Sequence, residues 1–129
     1  MKRTVSGFFE EADRLPFASF DELVGNGGLV VVAPHPDDES LGCGGLIAHA
    51  AAAGRPCRVI VITDGTASHP HSASYPADRL RSLRASEVTR SIELLGLRPS
   101  DLLLLGLRDG RGEDWARDIQ AVDIISQSI

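Results

Sequence analysis

Two short runs of apolar, largely β-branched residues, Leu29–Ala33 (LVVVA) and Arg58–Thr63 (RVIVIT), constrain this chain more than any other feature. Each has the length of one strand and lacks polar alternation, the pattern of a strand buried on both faces of a parallel sheet. Parallel neighbours need a crossover between them, and the joining segment offers one: Ser40 suits the N-cap of a helix running to about Ala53, closed by Gly54. A third run, Leu102–Leu105, follows a second helical stretch, Arg79–Leu95. There Leu80, Leu83, Val88, Ile92 and Leu95 recur near helical spacing and Gly96 provides the stop. Trp115 to about Ser128 carries a last amphipathic helix, and Phe8–Leu23, broken by Pro16, reads as a short helix with a turn or second helical piece after it. Strands alternating with helices in this order predict an α/β fold, a Rossmann-like three-layer parallel sheet with right-handed crossovers. The sheet is doubly wound or half of one, cut off after the third strand and its helix. Residues 1–129 form one domain, with residues 1–28 as an N-terminal helical extension.

At 43 % hydrophobic and 24 % charged residues the chain belongs with soluble globular proteins and not with disordered ones. A net charge of -5 disfavours nucleic acid, because neutralising phosphates takes a basic face. Arg79, Arg81, Arg84 and Arg90 are either a solvated helix face or a site for one anionic group. The first residues lack the apolar stretch of a secretory signal, and no run approaches the ~18 apolar residues of a membrane span. Cys43 and Cys57 make no disulfide framework and read as reduced thiols, so a cytoplasmic location is expected.

The first strand runs directly into His35-Pro36-Asp37-Asp38-Glu39. Ligands of such sheets bind at the carboxyl ends of strands, so this acidic loop lies where a ligand is expected. A dinucleotide is disfavoured: Gly42-Cys43-Gly44-Gly45 is not G-x-G-x-x-G, and three carboxylates repel a pyrophosphate. The same carboxylates welcome a cation. His and Asp three positions apart offer imidazole nitrogen and carboxylate oxygen to one metal, a mixture that suits zinc, and the Asp between them could take a proton from water. A surface loop with a helix-capping acid fits the same residues.

The His35–Glu39 loop with Gly44-Gly45 resembles the signature of the PIG-L/LmbE-like zinc deacetylases. The resemblance extends to Thr63-Asp64-Gly65, Arg84-x-x-Glu87, Leu95-Gly96 and Asp109-Gly110, so it covers most of the chain from about Leu29. It implies a zinc-dependent hydrolase that removes the acetyl group of an N-acetylated amino sugar or its conjugate, a small-molecule partner. His35 and Asp38 are then the metal ligands, Asp37 the general base, and Arg84 a residue that contacts substrate. Glu39 would play a structural part, bonding backbone donors at the helix start. The implied chemistry is attack of water on an acetamide carbonyl, with zinc polarising the oxygen and Asp37 moving the proton toward the leaving amine.

The resemblance also implies a third ligand from a His-x-x-His motif after a fourth strand, and no such motif stands before Ile129. Of the other histidines, His49 reads as a helix-face residue, whereas His69 and His71 lie in the loop after the second strand and could approach metal or substrate. Two outcomes are open: part of a longer deacetylase, or a catalytically inactive truncated relative that acts as a binding or association module. With only the 3-2-1 half of the sheet, Leu29–Ala33 would lie at an edge and invite self-association.

Overall fold

The computed structural model describes residues 5–110. Two short helices precede the sheet, α1 (Val5–Ala12) and α2 (Phe20–Val24). Ser19 and Glu22 start α2 as a reciprocal capping box: the Glu22 N–H donates to Ser19 Oγ at 3.3 Å and the Ser19 N–H donates to Glu22 Oε2 at 2.7 Å. The order then runs β1 (Leu29–Ala33), α3 (Asp38–Ala52), β2 (Cys57–Thr63), α4 (Ala77–Leu94) and β3 (Leu102–Leu107). The strands form one parallel sheet in the order β1-β2-β3, with Leu29 opposite Cys57 and Val59 opposite Leu102. This is the open α/β sheet expected from the sequence. The helix expected over Trp115–Ser128 lies outside the described residues, so the third layer is not among them.

Both long helices pack on one face of the sheet. Val31, Ala33, Val59 and Val61 point to that face and meet Ile47 and Ala50 of α3 and Val88 and Ile92 of α4 in one buried cluster. The helices also meet each other, through a Ser40–Ser91 hydroxyl contact and through Gly44, where Leu95 lies 3.8 Å from the position of a Cβ. Two successive crossovers in the same direction along a sheet place their helices on the same face when both are right-handed. The opposite face is also apolar but more open. Val32 is 46 % exposed while Ala33 beside it is 2 % exposed. Ile60, paired with Val32 on that face, is nonetheless 0 % exposed, and among the described residues α3 and α4 cover one face of β1.

Two boundaries differ from those expected, and both differences bear on the site. Helix α3 starts at Asp38, ahead of the expected Ser40 cap, and Asp37 occupies the cap position with φ +86°. The Asp37 carbonyl accepts from the Ser40 N–H at 3.1 Å and the Leu41 N–H at 2.9 Å, while the Ser40 hydroxyl is engaged elsewhere. Asp38 and Glu39 then fill the first turn, where the helix dipole favours negative charge. Strand β3 runs past Leu105 through a bulge. Val61 pairs with Leu104 and Thr63 with Leu107, so two residues of β3 oppose one of β2, and Gly106 takes φ +64° there. A glycine in the left-handed region gives such a bulge without steric penalty.

Candidate active site

The β1–α3 loop is a tight turn, in which the Asp38 N–H donates to the His35 carbonyl at 3.3 Å. Its compactness brings two side chains together. His35 Nδ1 lies 3.3 Å from Asp38 Oδ2, the same oxygen that accepts the His35 backbone N–H at 3.1 Å. Both side chains are about half exposed, so these donor atoms are open to a small ion from solvent. The other ring nitrogen, Nε2, stands 3.1 Å from Asp109 Oδ1. His35 is thus flanked by a carboxylate at each nitrogen.

Asp37 is the single non-glycine residue with positive φ among those described. Asp tolerates this region better than most residues, but the conformation is uncommon, and such outliers gather at functional sites at a cost of about 1–3 kcal/mol. The carboxylate makes no helix cap and turns to α4, where Arg84 donates to its Oδ2. Arg84 also lies 3.9 Å from Glu87 on its own helix. Its main partner is therefore the loop after β1 and not its own helix. Gly65 makes this approach possible: with φ +66°, its absent Cβ would meet the Pro36 ring at 3.2 Å and the Arg84 side chain at 3.7 Å.

Behind this group sits Asp64, which follows β2 and is almost wholly buried. Its Oδ1 accepts from the Thr66 N–H at 3.1 Å, the Thr66 hydroxyl at 2.8 Å and the Asp109 N–H at 3.3 Å. Its Oδ2 accepts from Arg81 Nε at 3.1 Å and Nη2 at 2.9 Å. Burial pushes this carboxyl up, but the Thr66, Arg81 and Asp109 donors outweigh it and hold the group below the usual carboxylate range. A cavity of about 180 Å³ opens beside it, lined by Pro36, Thr63, Arg84, Leu104 and Gly106 among others. That is below the ~300–1,000 Å³ of ligand pockets.

The remaining sequence candidates fall apart from this group or into other roles. Glu39 is 1 % exposed, but it takes the Ser40 hydroxyl at 2.7 Å in place of the expected backbone donors, and its Oε2 has no partner among the described residues. His49 stacks on Phe20 with ring centroids 4.6 Å apart. His69 pairs with the Ser68 hydroxyl at 3.0 Å and borders a shallow depression shared with Tyr75, Leu83 and Arg84; His71 is exposed. Among the described residues no three His, Cys, Asp or Glu side chains are disposed to hold a metal together. Each of the four arginines of α4 has a partner among the described residues: Arg79 covers Tyr75, Arg81 meets Asp64, Arg84 meets Asp37 and Arg90 faces Glu93. Cys43 and Cys57 are free thiols, and burial, with the charge of Asp101, pushes Cys57 up. No described helix is long and apolar enough to cross a membrane.

The sequence pattern of PIG-L, GlcNAc-PI de-N-acetylase, matches residues 30–127. The chain belongs to the PIG-L family. His35, Asp37, Asp38, Asp64, Arg84 and Asp109 of this PIG-L chain all lie inside the matched residues. It is similar to the 1D-myo-inositol 2-acetamido-2-deoxy-alpha-D-glucopyranoside deacetylase of Mycobacterium avium, 39 % identical over 75 residues, covering 54 % of this chain and 25 % of the relative. It is likewise similar to the enzyme of that name from Kineococcus radiotolerans, 33 % identical over 105 residues, covering 79 % of this chain and 28 % of the relative. The PIG-L chain thus spans about a quarter of the length of these curated relatives. In three dimensions it is similar to the N,N'-diacetylchitobiose deacetylase of Pyrococcus horikoshii, with a TM-score of 0.60 at 23 % identity. That match covers 86 % of this chain and 41 % of the solved one, and it shows a shared fold.

Proposed function

We propose that the whole protein is a zinc-dependent deacetylase that hydrolyses the acetamide of an N-acetylated amino sugar or its conjugate, with this chain contributing the N-terminal part of the site. One observation carries the reading: His35 Nδ1 and Asp38 Oδ2 stand 3.3 Å apart and half exposed at the carboxyl end of β1. Two donors bound to one tetrahedral zinc at ~2.0–2.2 Å would be separated by about 3.3 Å. The pair therefore fits two of the three protein ligands a catalytic zinc takes. Family membership and relatives whose names are those of deacetylases of N-acetylated sugars support the same class.

When bound, zinc would polarise the acetamide carbonyl and lower the pKa of a water toward about 7. The chain's own residues do the rest. His35 and Asp38 hold the ion. Asp37 accepts a proton from the attacking water and passes it to the amine nitrogen as the C–N bond breaks, releasing acetate and the free amine. Arg84 fixes the Asp37 carboxylate with one N–H, and its other guanidinium donors remain to meet a sugar hydroxyl or an anionic substituent, for which a planar fork suits better than an ammonium. Acetate release from N-acetylglucosamine conjugates by the whole protein tests this. Release that a chelator stops and zinc restores is expected; release indifferent to the chelator would contradict it.

A second reading is favoured by the lack of a third metal-binding side chain among the described residues: a catalytically inactive relative that serves as a binding or association module. Under either reading, a cytoplasmic location is proposed for the protein. On the isolated 129-residue chain we also expect self-association. β1 ends the sheet among the described residues, with one side of its backbone unpaired there and Val32 open on its face. Sedimentation velocity should show species larger than a monomer; a single monomeric boundary at tens of micromolar would refute it.

A further inference from the structure

We propose that Asp64 is a positioning residue of this site, acting on His35 through Asp109. The inference rests on the metal-site reading above, and it starts from a chain of contacts that links the ends of all three strands. Asp64, after β2, takes the Asp109 N–H on Oδ1. Its own N–H donates to the Leu107 carbonyl at 2.9 Å. These two bonds fix the segment that leaves β3 just beyond the Gly106 bulge. The Asp109 side chain is then held from a second direction, its Oδ2 accepting the Ala67 N–H at 3.2 Å. Its other oxygen is left facing His35 Nε2 at 3.1 Å.

The consequence concerns which ring nitrogen of His35 carries the proton. A neutral imidazole has one N–H, and here two carboxylates compete for it, Asp109 at Nε2 and Asp38 at Nδ1. Asp38 is half exposed, so water weakens its claim, whereas the Asp109 side chain is only 11 % exposed and takes the Ala67 N–H on its other oxygen. Asp109 therefore takes the Nε2–H. Nδ1 is left with its lone pair beside the Asp38 oxygen, so a metal need not displace a proton to bind both. A partner that orients a ligand histidine in this way typically contributes 10- to 100-fold in metal affinity. Arg81 and Thr66 occupy the rest of the Asp64 carboxylate and keep it from turning away.

The test is the ¹⁵N NMR signature of the His35 ring in the metal-free chain, read at a pH where the spectrum itself shows one ring N–H. Wild type is expected to show the Nε2–H form. Asp109→Ala and Asp64→Asn should each move the population toward Nδ1–H as Asp38 gains the proton, and each should weaken zinc binding about 10- to 100-fold. Should Asp64→Asn fail to fold by circular dichroism, Asp64→Glu gives the same readout with the charge kept and the carboxylate displaced. An unchanged ring signal in the folded Asp64 variant overturns the role of Asp64, and an unchanged signal in Asp109→Ala overturns the whole chain of contacts. Because the ring signal needs no metal, a whole protein that binds no zinc would reject the proposed function without being confused with either result.

Discussion

In the whole protein, Asp37→Ala and Asp37→Asn should lower turnover about 100- to 10,000-fold, the range that general acid–base catalysis supplies, while bound zinc stays at the wild-type level. The expectation follows from where the carboxylate points. Asp37 sits between the two proposed ligands in sequence, yet its left-handed backbone turns the side chain away from them and toward Arg84. Its carboxylate is held by Arg84, so as the proposed base it is not expected to be needed to hold the ion. Asp37→Asn keeps the volume and can still accept from Arg84 through its amide oxygen, so it separates loss of the base from loss of the loop's shape. Metal content measured beside acetate release decides the matter. Equal loss of zinc and activity in both variants would make Asp37 a ligand or a structural residue and reject it as base.

The second large effect is expected in the scaffold. Ile47 is 0 % exposed and lies where α3 meets the sheet, in the cluster with Val31, Val59, Val88 and Ile92. Ile47→Ala removes three carbons there and leaves a cavity, which costs about 2–5 kcal/mol. Set against the ~5–15 kcal/mol that holds a typical domain together, that is enough to lower the thermal midpoint by many degrees or to unfold the chain. Leu41 on the same helix, 86 % exposed, serves as the contrast. Leu41→Ala should stay within about 0.5 kcal/mol of wild type. Thermal melts followed by circular dichroism would check both, and similar melting of the two variants would show that α3 does not carry the core as described.

The fold was legible because strand runs carry their own signature. Leu29–Ala33 forms β1 with no change of boundary, and β2 and α4 begin within two residues of where the apolar pattern places them. What misled was local chemistry with two outlets. Ser40 is a good N-cap by type, but its hydroxyl goes to Glu39 and Ser91, and Asp37 starts the helix through its backbone alone. The apolar pattern places the third run at Leu102–Leu105, whereas Gly106 makes a bulge and the strand continues to Leu107.

His35, Asp37 and Asp38 were visible as a cluster because they are neighbours in sequence. The link from Asp64 to Asp109 to His35 was not. It joins residues 45 positions apart, and no periodicity reports a contact of that kind. The signal that could have found it is an aspartate soon after each of β2 and β3, since a parallel sheet gathers the carboxyl ends of its strands at one place.

Equilibrium zinc titration of the 129-residue chain beside His35→Ala and Asp38→Ala tests the central claim most directly. With two donors from this chain, wild type should bind one zinc weakly. Each substitution should abolish that binding, because neither side chain alone holds the ion. Tight binding that survives both substitutions would contradict the account and place the metal elsewhere, with His69 and His71 the first residues to examine.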